Sequence, residues 1–546
     1  MKKVLCLLIS LVMVFSVISA CGSKSGDDTG TAANTTVGTA KAEVTTKVVD
    51  EKSKYWISDT KITLRVMSDR NAAAGDWKDL SIFKTLEEMT NIAFDFDITE
   101  WSAYEEKKNL ALATGDLPDL FIANGPSLTP YDEVTYGPQG YLIPLNELID
   151  KHAPNLKKRM TENPRLEKAM TCPDGNIYAL ANMFATATMG AFKPVINKTW
   201  LTNLNLQMPK TVDELYNVLV AFRDQDPNKN GQKDEIPMSE RTFFSFNGML
   251  LGAFGQLCHN QDTRVYLKDN KVQYYPMADG YKQYLQYLNK LYSEKLLDNT
   301  FLSQSTEEMV AKSKTNNVGV LPARGQCDYT QYEMLEPFTS QYNSEKLASS
   351  SAMVYQTGRF AITKENKYPV ESIKFADLFA YTVDEAVNGI CGASLWLGQK
   401  GVDWDITPDN KIQYLFETAK DMDQTTHIGK FIAPSSSLSF GTCILQIPFK
   451  GGVLEWVGEQ NKTHILPYVK TDMEYPSSLV RFEQKDSERE GILVTDLKAY
   501  VDDWSARFVT GHTSFNEWDT YINGLKKVGV EEHISILQAA YDKFVQ

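Results

Sequence analysis

The chain is poor in cysteine and histidine, with seven Cys and six His among 546 residues. It contains no Cys-x-x-Cys pair and no Cys/His cluster at metal-ligand spacing, which argues against a zinc centre and against disulfide-dependent folding. After an apolar start there is no second long hydrophobic run, so no further crossing of a bilayer is expected. Positive charge is also in deficit: 56 Lys and Arg face 70 Asp and Glu, a formal −14. An acidic surface argues against nucleic acid as a partner. The serine-hydrolase, zincin and phosphate-loop motifs are absent. Close acids such as Asp116 and Asp119 are sequence neighbours, whereas a glycosidase needs two carboxyls facing each other across a cleft. No catalytic residue is expected.

What is present begins at the N-terminus. Lys2 and Lys3, an apolar stretch from Val4 to Ala20, and the string Ile18-Ser19-Ala20-Cys21 are the parts of a cleavable signal in order. The Cys after two small residues resembles a bacterial lipobox, which implies cleavage before Cys21 and a diacylglycerol on its sulfur. An ordinary signal peptide and a signal anchor are the competing readings. Residues 21–58 are dominated by Gly, Ser, Thr, Ala, Asp and Lys, too little apolar surface to offset the entropy of ordering. We read them as a flexible leash holding the body outside a cell membrane. Loss of Lys2 and Lys3 with residues 1–20 takes the formal charge from −14 to −16.

The remaining chain is long enough for more than one core, and its 42% hydrophobic and 23% charged residues suit a soluble body. Apolar spacing predicts a strand at Ile62–Met67, a helix from Trp77 to Thr90, and a strand at Ile92–Ile98. A helix at Trp101–Ala113, a strand at Asp119–Ala123 and a helix at Leu145–His152 follow. Strand alternating with helix implies an α/β fold with a mostly parallel sheet. Ligands on such sheets bind beyond the carboxyl ends of strands, here near Asp69–Trp77, Glu100–Trp101 and Asn124–Gly125. Aromatic faces at strand-to-loop junctions suit the C–H side of sugar rings. That selects Trp77, Trp101, Tyr136, Phe192, Trp396 and Trp404, with Asn124 for a hydroxyl and Arg324 for an acidic group. For Asn124 a plain turn role and for Arg324 a surface ion pair are the alternatives.

A second chemical signal lies at Asp226–Glu235. Side-chain oxygens fall at loop positions 1, 3, 5 and 9 (Asp226, Asn228, Asn230, Asp234). Gly231 at position 6 permits the sharp turn, and Gln232 offers its main-chain carbonyl. An all-oxygen set suits Ca²⁺ rather than a soft metal; an Asn- and Gly-rich turn without a metal is the alternative reading. Position 12 is Pro237, which has no ligand to give. The loop follows a predicted helix at Val212–Arg223, away from the predicted cleft, so the ion is expected to be structural.

Several stretches occur in one order along residues 60–546: Ala113–Phe121 (ATGDLPDLF), Gln139–Asn146 (QGYLIPLN), Asn197–Leu201 (NKTWL), Met208–Leu215 (MPKTVDEL), Tyr281–Asp298 and Leu397–Trp404. This series resembles the sugar-binding family of extracellular solute-binding proteins used by ABC importers, most of all the LplA-like lipoproteins and the alginate-oligosaccharide-binding proteins. The resemblance implies a two-lobed, periplasmic-binding-protein-like fold of type II that closes about a hinge. It implies lobe 1 at 59–183 plus 360–432 and lobe 2 at 184–358 plus 433–546. It also implies an oligosaccharide cargo, an ABC permease as partner and a monomeric, non-enzymatic protein. In the alginate-binding relatives the last calcium ligand directly follows the Asp, which transfers to Glu235. An oligopeptide receptor is the alternative binding function, and a secreted polysaccharide-active enzyme the less favoured one.

Overall fold

Strand Ile62–Arg70 organises the first sheet. It pairs in parallel with Ile92–Glu100 from Ile62↔Ile92 to Arg70↔Glu100, and in parallel with Leu120–Ile122 on its other side. Strand Tyr355–Ile362 then runs antiparallel to Leu120–Ile122, and Leu180–Met183 closes the five-stranded sheet antiparallel to it. The computed structural model describes residues 55–70, 74–122, 128–183, 193–322, 329–349, 355–380, 397–418, 422, 424–434 and 450–545.

The local reasons for these elements are visible in the sequence. Helix Ser81–Thr90 buries Ile82, Phe83, Leu86 and Met89 along one face, the 3.6-residue stripe of an amphipathic helix. Asn91 ends it at φ 62°, with its N–H donating to Glu87 O. Gly115 ends helix Trp101–Thr114 in the same left-handed way, at φ 76°. One boundary differs from expectation. Trp77–Asp79 is a separate 3₁₀ turn, because Leu80 takes ψ 130° and breaks it from the helix.

The second sheet orders its strands Tyr332–Met334, Val195–Asn197, Val318–Leu321, Ile236–Met238. Val318–Leu321 runs parallel to Ile236–Met238 and antiparallel to Val195–Asn197. Its core joins Trp200, Phe222, Met238 and Val320 to Leu288, Leu497, Phe508 and Tyr521 from helices further along the chain. A separate core holds Leu64, Val66, Leu120 and Phe360 of the first sheet together with Phe83 of helix Ser81–Thr90. The result is a mixed α/β, two-lobed architecture. The chain passes to the second sheet between Met183 and Val195 and returns between Met334 and Tyr355.

That return carries a tight contact. Gly358 stands at φ 70°, and a Cβ there would lie 1.9 Å from Leu128 O, whose own N–H donates to Gly358 O at 3.1 Å. The ladder slips register between Gln356 and Phe360, so this is a bulge that only glycine fits. Among the described residues, no helix is long and apolar enough to cross a membrane.

Candidate functional site

The carboxyl ends of the strands bring together the groups that could meet a ligand. On the first sheet, Ser68 and Asp69 are buried at the end of Ile62–Arg70. Arg70 Nη1 donates to Ala74 O at 3.1 Å and pairs with Asp76 at 3.2 Å, holding the following turn against the strand end. Arg359 is 1% exposed. Burial lowers its guanidinium to about 9, and the charge of Asp69 partly offsets that cost. On the second sheet, Ser239 and Glu240 are buried just past Met238. Ser239 Oγ donates to Asp298 Oδ2 at 2.7 Å, and Lys312 Nζ donates to Asp298, Thr300 and Gln304 at 2.7, 2.9 and 2.8 Å. Gln304 Nε2 donates to Glu240 O at 2.7 Å. Burial alone would raise the Asp298 carboxyl, but Lys312, Ser239 and Thr300 hold it below its ordinary value. This network immobilises the backbone of a strand end, the task of a scaffold under a binding surface.

The aromatic candidates divide sharply. Trp101 is 58% exposed at the start of its helix, directly after strand Ile92–Glu100. Trp77 is 2% exposed, with its ring stacked on Phe83 at 5.3 Å and edge-on to Phe96 at 5.7 Å. Its face is occupied by the core, which corrects its reading as a cleft residue. Trp404 is corrected in the same way: it is fully buried, and its indole N–H donates to Gly398 O at 3.1 Å. Tyr136 is half-buried, 5.7 Å from Tyr141, and burial followed by the charge of Asp132 raises its phenol. Cys21, Asn124, Phe192, Arg324 and Trp396 lie outside the described residues.

One aromatic group escaped sequence reasoning. Tyr414 lies 5.0 Å from Phe416, Phe416 stacks on His427 at 4.3 Å, and His427 lies 5.0 Å from Phe431. Phe431 is 47% exposed. Gly75 N–H donates to Gly429 O at 3.1 Å, which places this ladder beside the turn that follows the first strand. No local periodicity links these residues; the packing of the segment on that turn does.

The acidic loop sits at the opposite end of its sheet. Helix Val212–Asp224 starts in a capping box, with Thr211 and Glu214 exchanging side-chain-to-backbone bonds. The loop after it feeds the amino end of Ile236–Met238. Asp226 accepts from the N–H groups of Asn230 at 3.1 Å and Gly231 at 2.9 Å. Asn228 Oδ1 accepts from Asn230 N at 3.0 Å, and Asn230 Oδ1 from Gln232 N at 2.7 Å. Gly231 makes the turn at φ 74° with open space about it. The amides of Asn230, Asn228 and Asn317 all donate to Asp234, and they hold that carboxyl below its ordinary value. Glu235 is pushed up by burial and by repulsion from Asp234 and Asp226, and its Oε1 is buried without a hydrogen-bond partner. Among the described residues no group of three or more His, Cys, Asp or Glu converges as a metal site. Asp226, Asp234 and Glu235 are thus not drawn together as a three-carboxylate group here; Asp226 and Asp234 accept from backbone and amide N–H groups instead.

Two sheets with separate cores, and polar groups gathered at their carboxyl ends, are the architecture of a two-lobed binding protein. The chain belongs to the family of bacterial extracellular solute-binding proteins, whose model matches residues 72–380. Over 98% of its length it is 28% identical to the fructooligosaccharide ABC transporter substrate-binding protein FusA of Streptococcus pneumoniae serotype 4 (strain ATCC BAA-334 / TIGR4), covering 97% of that protein. The structure of S. pneumoniae FusA in complex with kestose shares 25% identity and a TM-score of 0.75, over 88% of this chain and 99% of that one. A FusA EF-hand mutant in complex with fructo-nystose matches with 25% identity and a TM-score of 0.74, over the same 88% and 99%. The alginate-binding protein AlgQ2 without calcium ion shares the fold, at 22% identity and a TM-score of 0.70 over 90% and 100% of the two chains.

Proposed function

We propose that this chain is the substrate-binding lipoprotein of an ABC importer, which captures an oligosaccharide outside the membrane and delivers it unaltered to a permease. The end-to-end relationship to a fructooligosaccharide-binding protein carries the reading. Tethering is assigned to a lipid on Cys21. Lobe 1 is assigned to 59–183 with 360–432, lobe 2 to 184–358 with 433–546, and the hinge to the paired strands Leu180–Met183 and Tyr355–Ile362. Exposed Trp101, and Phe431 with its ladder, offer the flat faces a sugar ring needs.

The acidic loop is assigned to Ca²⁺. Asp226, Asn228, Asn230, Asp234 and Glu235 supply side-chain oxygens, and Gln232 its main-chain carbonyl. The buried, unpartnered Glu235 Oε1 fits a dication, and the charges of Asp234 and Asp226 already act on its carboxyl; closing the cage requires these carboxylates to draw together and the two amides to rotate their oxygens inward. The ion supplies charge neutralisation at a turn remote from the carboxyl ends of the strands. Its role is to stabilise the lobe.

A thermal-shift and calorimetry panel of kestose, fructo-nystose, acidic oligosaccharides and oligopeptides tests the assignment. A neutral or acidic oligosaccharide is expected to raise the melting temperature, with no change in its reducing ends on prolonged incubation. Stabilisation by peptides alone, or accumulation of shortened products, overturns it. Within the site, Trp101→Ala and Phe431→Ala should each weaken saccharide binding about tenfold, a loss of about 1.4 kcal/mol, with the melting temperature unchanged. Trp77→Ala should instead destabilise the fold by about 3–5 kcal/mol, read by urea unfolding.

A further inference from the structure

One buried charge cluster joins the two halves of the molecule and serves neither the strand ends nor the acidic loop. Glu133 lies on helix Pro130–Tyr136, whose Val134 packs with Met67, Leu112 and Phe121 of the first-sheet half. Its partner Arg481 lies in a segment that touches both cores: Leu479 packs in the core of the first sheet and Val480 in that of the second, and the long helix Gln484–Thr510, which packs in the second core, follows. The pair closes at 3.4 Å with side chains 0% and 7% exposed. Arg481 also donates to Ala169 O, and the Cys172 thiol donates to Glu133 Oε2 at 3.8 Å.

The cluster is incompletely satisfied. Glu133 Oε1, Arg481 Nε and Thr135 Oγ1 are buried with no hydrogen-bond partner. Next to it, Lys108 and Asp132 form a second buried ion pair at 2.6 Å. Arg481, Asp132, Lys108 and Cys172 are the charged and titratable groups facing Glu133 from the surrounding elements. A buried carboxylate with one free oxygen is costly, and evolution tolerates such a defect most readily where it acts as a switch.

We propose that the Glu133–Arg481 pair is a proton-sensitive latch between the two halves of the protein, and that its state sets how readily the cleft closes. Burial, opposed by Arg481, raises the Glu133 carboxyl from its ordinary 4.5 to about 7. Cys172, pushed up to about 12, stays a thiol throughout. When the halves move and water reaches Glu133, its pKa falls back toward the ordinary value. The sign follows from linkage: the latched form binds the proton more tightly, so acid favours the conformation described above. That preference is complete below the ordinary pKa and fades as pH rises through about 7.

The inference extends the proposed binding function but has a readout without ligand. X-ray scattering of the ligand-free protein should approach the profile calculated from this structure as pH falls from about 8 to about 5. Glu133→Gln, neutral at every pH, should give one profile throughout. With kestose or fructo-nystose as a neutral probe, wild-type affinity should change about tenfold across that window, and that of Glu133→Gln less than twofold. Calorimetry at pH about 6 in two buffers of different ionisation enthalpy should show proton exchange coupled to binding in the wild type, which requires no variant. A pH dependence shared equally by wild type and Glu133→Gln, or scattering that does not respond to pH, overturns the latch. Failure of every saccharide to bind, with scattering still responsive to pH, overturns the proposed cargo and leaves the latch supported.

Discussion

Treating the wild-type protein with EDTA is expected to lower its melting temperature by about 5 °C or more, while saccharide affinity at one fixed temperature changes less than twofold. A site occupied at a hundred times its Kd contributes about 2.7 kcal/mol to the folded state, and each kcal/mol moves the midpoint of a lobe of this size by about 2–4 °C. Affinity is expected to be spared because the loop enters the amino end of Ile236–Met238, whereas the proposed binding surface lies beyond the carboxyl end, past Ser239 and Glu240. Adding Ca²⁺ back should restore the original midpoint. Asp234→Ala is a weaker test on its own, since it also removes the acceptor for Asn228, Asn230 and Asn317. The EDTA arm therefore decides the matter. A midpoint indifferent to chelation and to added Ca²⁺ would show that the turn is held by its amides alone.

Gly358→Ala should destabilise the protein by about 3 kcal/mol or more. Two penalties coincide there. A left-handed φ costs an L-residue about 1–2 kcal/mol, and the added carbon would meet Leu128 O at 1.9 Å, an overlap that forces backbone to move. Gly140→Ala separates the two: its φ is 77°, and nothing lies within 4 Å of the added carbon. That control should lose about 1 kcal/mol, measured by urea unfolding. Equal losses at the two positions would sink the idea that the bulge in Tyr355–Ile362 is closely packed. Because this strand pairs with Leu180–Met183, where the chain passes between sheets, Gly358→Ala is also expected to weaken saccharide binding.

The strands Ile62–Arg70 and Ile92–Glu100, the helices after them and the turn at Gly231 were readable because each rests on short-range chemistry. Apolar period, a left-handed terminator and oxygen spacing are all contained within a dozen residues. The two-lobed class was legible through a series of family-like stretches rather than through any one of them. What local pattern could not decide was the use made of equivalent residues. Trp77 and Trp101 both sit at the edges of strands, yet one is 2% and the other 58% exposed. The difference lies in Phe83 and Phe96, which claim the face of Trp77.

Long-range partners account for the rest. Asp377 accepts from Asn155 and from Leu156 N, more than two hundred residues away, and nothing near any of them in the chain announces the contact. The same holds for Phe431 beside the turn at Gly75 and for Arg481 against Glu133. Sequence alone therefore determined the element types, the calcium-like turn and the family. Tertiary structure alone decided which aromatic faces remain free and which charges meet in the dark between the two cores. Burial and ion pairing depend on atoms brought together by the whole fold, and no window along the chain contains both members of such a pair.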